Sequence, residues 1–334
     1  MKTKKENEFH VGWQEIQWSV KTFTFALFIS WTVSMLFYFL SLAAASPESM
    51  NTAITSGTSM AMKKVESAAE HVSLLWSIFL FNSLAVITTS VGTGFLPYIQ
   101  NISLAEIKLR SRNQNYTTYS VKVEKLFQLF NSRIMHSVER LDPALASLRA
   151  QNNSEKEMSI WKSAKYNKGH FRSLAYMIPY LIPIMTLTLN GMLLGITLSF
   201  FIFNSTLSAC DLIGMQGILT GFIYSVSCFL AFILPHGIIE LPVIIIAAAL
   251  GYRFARVYSH KILNDRLLLA DEAESLERDV SYMNNIATEY IRSSYLWTLV
   301  SLMLILLLAA AYVETNLTPT VAQHVADLLS DLLF

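Results

Sequence analysis

Long stretches without a single charge constrain this chain more than any other feature. Five regions, 22–47, 72–105, 173–210, 212–239 and 293–313, contain no Asp, Glu, Lys or Arg. A spanning helix needs roughly 20 apolar residues, because the hydrocarbon core is about 30 Å thick and a helix rises about 1.5 Å per residue. Each region meets that length. A sixth stretch, 241–252, is too short alone but continues 212–239 across Glu240. In lipid the backbone must satisfy its own hydrogen bonds, so these regions are helices rather than strands. The expected fold class is all-α: a polytopic helical membrane protein with about five or six transmembrane segments. Composition agrees, since charged residues make up only 15% of the chain, whereas a soluble domain carries about a quarter.

The charges that remain set an orientation. Residues 1–21 hold four lysines, 106–172 hold thirteen Lys or Arg, and 253–292 hold six. The stretch 204–214 and the tail after Glu314 hold none. Positive charge stays on the cytoplasmic side, so the N-terminus and both large charged segments are expected in the cytoplasm. Residues 46–70, 204–212 and the C-terminal tail then lie outside a multi-pass plasma (cytoplasmic) membrane protein. This works only if 212–252 makes one net crossing. Pro235, Gly237 and Pro242 are the expected helix break, because proline cannot donate to the helical ladder and glycine relaxes it further. A broken or re-entrant element is therefore expected over 212–252. The first region carries an Ala43-x-Ala45 pattern, but its apolar core is longer than a signal core, and it reads as a retained helix.

Three parts follow along the chain: N-terminal membrane helices at 1–102, a cytoplasmic helical insertion at 103–172, and C-terminal membrane helices at 173–334. The last includes a cytoplasmic helix at about 262–290. There Ala273, Leu276, Val280, Met283, Ala287 and Tyr290 recur in steps of four and three, a heptad seam. Val123, Phe127, Phe130, Ile134 and Leu141 form a similar stripe in the insertion. Packing between such helices, or onto the membrane face, explains both; a docking surface for another protein is the functional alternative. In the tail Val321, Val325, Leu328 and Leu332 fall on one face, suited to the membrane interface or to a partner.

Ionisable groups in lipid ask for partners. His236 and Glu240 stand four residues apart, one turn on a helix, and Glu314 closes the last apolar region. With Asn82 and Asn190 they are the candidates for an intramembrane polar cluster. One reading is structural, with interhelical hydrogen bonds fixing helix packing. A second is an ion or proton path, as in transporters with ionisable groups at mid-depth. The third, a metal site, lacks an HExxH pattern or a second nearby histidine, and no metal or other cofactor is expected.

Catalysis has no positive case: no GxSxG, Walker loop or GxGxxG occurs, and no enzyme is expected. The two cysteines, Cys210 and Cys228, form no CxxC, which leaves no cysteine zinc signature. A net charge of +1 argues against nucleic acid, which wants a clustered basic face. Gly191 with Gly195, and Gly214, Gly217 and Gly221, stand three or four apart within each group, spacing that lets helices approach closely. Packing within one chain is the expectation, and a homo-oligomer interface the alternative.

The run Leu234-Pro235-His236-Gly237-Ile238-Ile239-Glu240-Leu241-Pro242, continuing through Ile244-Ile245-Ile246 to Gly251, resembles the signature of the stage II sporulation protein M family. Phe81-Asn82-Ser83, Asn190-Gly191 with Gly195, and Ala310-Ala311-Tyr312-Val313-Glu314 followed by Thr318-Pro319 are similar to its other elements, in the same order. The resemblance covers about residues 20–102 and 173–320 and leaves out 103–172. It implies an integral membrane protein whose sporulation member localises cell-wall-degrading partners without cutting the wall. The expected function is a membrane scaffold or complex subunit for envelope or membrane protein partners, surrounded by membrane lipid. A transporter or channel built around His236 and Glu240 is the alternative.

Overall fold

The computed structural model describes residues 7–43, 73–125 and 159–333. These residues are helical, with no strand among them. The main helices are α1 (Trp13–Ala43), α2 (Leu74–Ser90), α3 (Ile99–Arg112), α4 (Ile160–Ala164), α5 (Lys168–Met177), α6 (Leu181–Ile213), α7 (Gly217–Asn264), α8 (Ala273–Ile291), α9 (Ser294–Asn316) and α10 (Thr318–Leu333). Residues 114–125 are also helical. The stripe expected at Val123 to Leu141 falls largely outside the described residues.

Two compact units are assembled from segments distant in sequence. One takes residues 1–10, 91–181 and 251–296; the other takes 11–90, 182–250 and 297–334. The second unit is inverted relative to a water-soluble core. On α1 the buried positions are Glu15 near its start, then Ser19, Phe23, Ala26, Ser30, Ser34 and Tyr38, while Phe25, Phe28, Leu36, Phe37 and Phe39 stand exposed. On α2 Ser77, Ser83, Thr89 and Ser90 are buried, and Leu80 and Leu84 exposed. Large apolar side chains facing out and many small, mainly serine, side chains facing in fit a solvent of lipid, where association depends on close packing.

Among the described residues three helical stretches are long and apolar enough to cross a membrane: α1, residues 168–264, and α9. A fourth counts if α2 and the helix that follows it, bent by 46°, make one span. By length and composition alone this gives three or four candidate spans, and the finer expectation of five or six is not shown by that count. The middle stretch turns back within itself. Gly214 has φ +70°, a conformation that side chains with a Cβ disfavour. A Cβ at Gly217 would overlap the Ala209 carbonyl, and one at Gly221 would sit 2.7 Å from the Ser205 oxygen. α6 and α7 therefore form an antiparallel hairpin, with backbones in contact beside the turn. Phe201 against Phe229, and Leu187 packed with Ile244 and Ala248, continue the contact away from it.

The expected broken or re-entrant element over 212–252 is corrected by this geometry. The break is the turn at Gly214. Beyond it α7 runs unbroken through Pro235 and Pro242 for 48 residues. Each proline omits one ladder bond, but Pro235 and Pro242 are seven residues apart, so an intact turn separates the two gaps.

α1 and α6 touch through glycine. A Cβ on Gly191 would lie 2.6 Å from the Phe23 oxygen, and one on Gly195 would overlap Leu27 and the Ser30 hydroxyl. Ser199 also donates to the Trp31 carbonyl at 3.1 Å.

The other unit has an ordinary buried core. Leu276, Val280, Met283, Ala287 and Tyr290 are each within 2% of full burial, so the heptad seam is the packed face of α8. The helix expected at about 262–290 is two helices, because α7 ends at Asn264 and α8 begins at Ala273. Arg266 and Leu268 in the connection have positive φ. The connection is fastened by the buried Arg172, which donates to the carbonyls of Leu267 (2.9 Å) and Ile262 (3.3 Å). Trp161 donates to the Ala270 carbonyl at 2.8 Å, and Lys168 meets Asp271 at 3.1 Å. Arg110 pairs with Glu106 and Glu124 and lies over the Tyr166 ring. Burial, then the two carboxylates, push Tyr166 up to about 12, so its ring stays neutral and offers that face to the guanidinium.

Candidate functional site

Within the membrane-like unit, three of the five expected polar residues converge. His236 and Glu240 lie one turn apart on α7, and Glu314 arrives from the C-terminal end of α9. One ligand atom from each lies within 4.8 Å of the others. His236 is buried, and the carboxyl-bearing residues are partly buried. The i, i+4 spacing was sufficient to pair the first two on one face. Glu314 joins only because α9 packs beside α7.

A fourth residue completes the site. The Oγ1 of Thr318 lies 3.3 Å from His236 Nδ1, and Thr318 is 1% exposed. It is the first residue of α10, placed there by the one-residue turn after α9. Its only sequence signal was the threonine-proline pair following the last apolar region. The Phe232 ring meets the imidazole edge to face at 6.3 Å, closing one side with an apolar wall.

The Asn190 amide donates to the Thr186 carbonyl of its own helix at 2.8 Å. The Thr186 hydroxyl in turn meets that of Thr89 on α2 at 2.8 Å, a polar tie between α2 and α6. Asn82 is half-buried on α2.

The electrostatics of the cluster are one-sided. Among the described residues of this unit the one Lys or Arg is Lys21, which is exposed. Two carboxylates this close repel each other, and either a proton that neutralises one of them or a cation shared by both relieves that repulsion. Chemically the group can bind a cation, exchange a proton, or hold α7, α9 and α10 together through shared hydrogen bonds.

A family model described as Stage II sporulation protein M matches residues 134–319, more than half of the chain. The match contains Asn190, His236, Glu240, Glu314 and Thr318. It does not reach Asn82, nor the part of the resemblance expected at 20–102, and it begins inside the stretch 103–172 that was expected to lie outside the family pattern. No curated protein and no solved structure matches the chain.

Proposed function

Because this chain belongs to the stage II sporulation protein M family, we propose that it works as a membrane scaffold, a complex subunit that holds envelope or membrane proteins in place. The observation that carries this reading is the α6–α7 hairpin. α6 has 33 residues, about 50 Å of helix, against a hydrocarbon core of about 30 Å. The hairpin is stiffened by glycine contacts beside its turn. Leu212, Met215 and Leu219 stand exposed at the tip, Met215 at 81%. A stiff stalk that projects apolar side chains past the lipid is suited to holding another protein.

In the proposed topology α1, the bent α2 segment, α6, α7 and α9 cross five times. The N-terminus lies in the cytoplasm and the hairpin tip and α10 lie outside. Support comes from charge. As α7 leaves its apolar half, Arg253, Arg256, His260 and Lys261 line a cleft of about 280 Å³ with Glu8 and Asp265. Basic side chains concentrate there, as they do on cytoplasmic faces.

The test is photocrosslinking in native membranes from a probe at Leu212 or Met215. The expected result is one reproducible membrane or envelope protein, lost when Leu212 and Met215 are both changed to Ser. Recovery of lipid adducts or of the chain alone overturns the reading. A transport role is the second reading, favoured by the carboxylate pair. It predicts ion or proton flux in liposomes that Glu240→Gln abolishes in a folded protein.

A further inference from the structure

We propose that His236, Glu240 and Glu314 form a binding site for one divalent transition-metal ion of the zinc class, with Thr318 orienting the histidine. The inference stands apart from the scaffold reading and does not depend on it.

The donor set is the first support. One imidazole nitrogen and two carboxylates lie within 4.8 Å of one another, a nitrogen–oxygen combination that suits zinc and its neighbours. Calcium and magnesium want about six or more oxygen ligands, which three side chains do not supply. A tetrahedral ion with bonds of about 2.0–2.1 Å holds its ligands about 3.3 Å apart. Binding therefore draws the three groups together by at most about 1.5 Å, within the reach of glutamate rotamers. Three protein ligands leave a fourth position for water or another group.

Charge is the second support. Among the described residues of this unit the one lysine or arginine is the exposed Lys21, so no described basic side chain of the unit neutralises the two carboxylates. A divalent cation cancels both negative charges at once, where protons must arrive singly. The third support is independent of both. Metal-bound histidines commonly donate their other ring N–H to an oxygen, which fixes tautomer and ring angle. Thr318 Oγ1, buried and 3.3 Å from Nδ1, occupies that place and leaves Nε2 as the ligand atom.

The experiment uses the full chain in mild detergent, carrying an affinity tag free of histidine, stripped with chelator and then titrated. Zinc content after gel filtration is expected to reach about one ion per chain. Cobalt is expected to give the intense visible bands of a four- or five-coordinate site, and zinc to displace it. Glu240→Gln and Glu314→Gln should each abolish stoichiometric binding. Thr318→Val, which keeps all three ligands, should weaken affinity by roughly tenfold or more. Should the glutamine variants fail to fold, the wild-type cobalt spectrum and Thr318→Val still decide. A cobalt spectrum identical to the aqueous ion, no retained zinc, or unchanged binding in the folded glutamine variants overturns the proposal. Each of these outcomes is independent of whether a partner crosslinks at the hairpin tip.

Discussion

His236 and Thr318, 82 residues apart in the chain, meet through Nδ1 and Oγ1 at 3.3 Å. The contact joins the middle of α7 to the first residue of α10, so it fixes where the last helix begins. It also gives the imidazole a defined orientation beside two carboxylates. The same pair therefore serves packing and site geometry together.

Thr318→Val removes this hydroxyl while keeping the side-chain shape. The expected cost is about 1 kcal/mol, the net worth of one buried hydrogen bond. Thermal unfolding in detergent should show a small fall in Tm for the variant, and no fall for Thr320→Val two residues further along the same helix.

Gly195→Ala places a methyl group 2.9 Å from the Trp31 nitrogen and into overlap with the Leu27 carbonyl. These are backbone atoms and cannot rotate away. The α1–α6 contact must open, at about 3 kcal/mol or more, and the protein should accumulate poorly or elute as aggregate on gel filtration. Gly214→Ala meets nothing within 4 Å and suffers only its φ of +70°, so about 1 kcal/mol is expected. A reversed ranking of the two would remove the case for close α1–α6 packing.

Arg172→Met should loosen the α7–α8 connection. The guanidinium satisfies the Leu267 and Ile262 carbonyls, and their loss as acceptors costs about 2–3 kcal/mol. Arg172→Lys restores charge but not the fork that reaches both. Tryptic cleavage after Arg266, which is exposed, should accelerate in both variants, more in the methionine one.

The proposed sidedness is checked by single cysteines in a Cys210→Ser, Cys228→Ser background. Met215→Cys should react with an impermeant maleimide on intact cells. His260→Cys should react only after the membrane is opened. Labelling of both from one side would leave α7 without a net crossing.

The sequence by itself determined the helical class, the family and the packed face of α8. Charge-free runs dictate helices because lipid offers the backbone no other partner. The seam Leu276, Val280, Met283, Ala287 and Tyr290 was legible because α8 has a polar face to contrast with it. Membrane helices lack that contrast. They are apolar all round, so nothing along α7 or α9 marked which side would meet which helix. The pairing of His236 with Glu240 is a local consequence of helical spacing, and it was readable. The arrival of Glu314 and Thr318 was decided by tertiary packing alone, since it depends on α9 lying beside α7. Packing also decided the fate of Pro235 and Pro242. Local propensity marked a break there, but the chain turns at Gly214 instead, and contacts along α6 hold α7 helical through both prolines.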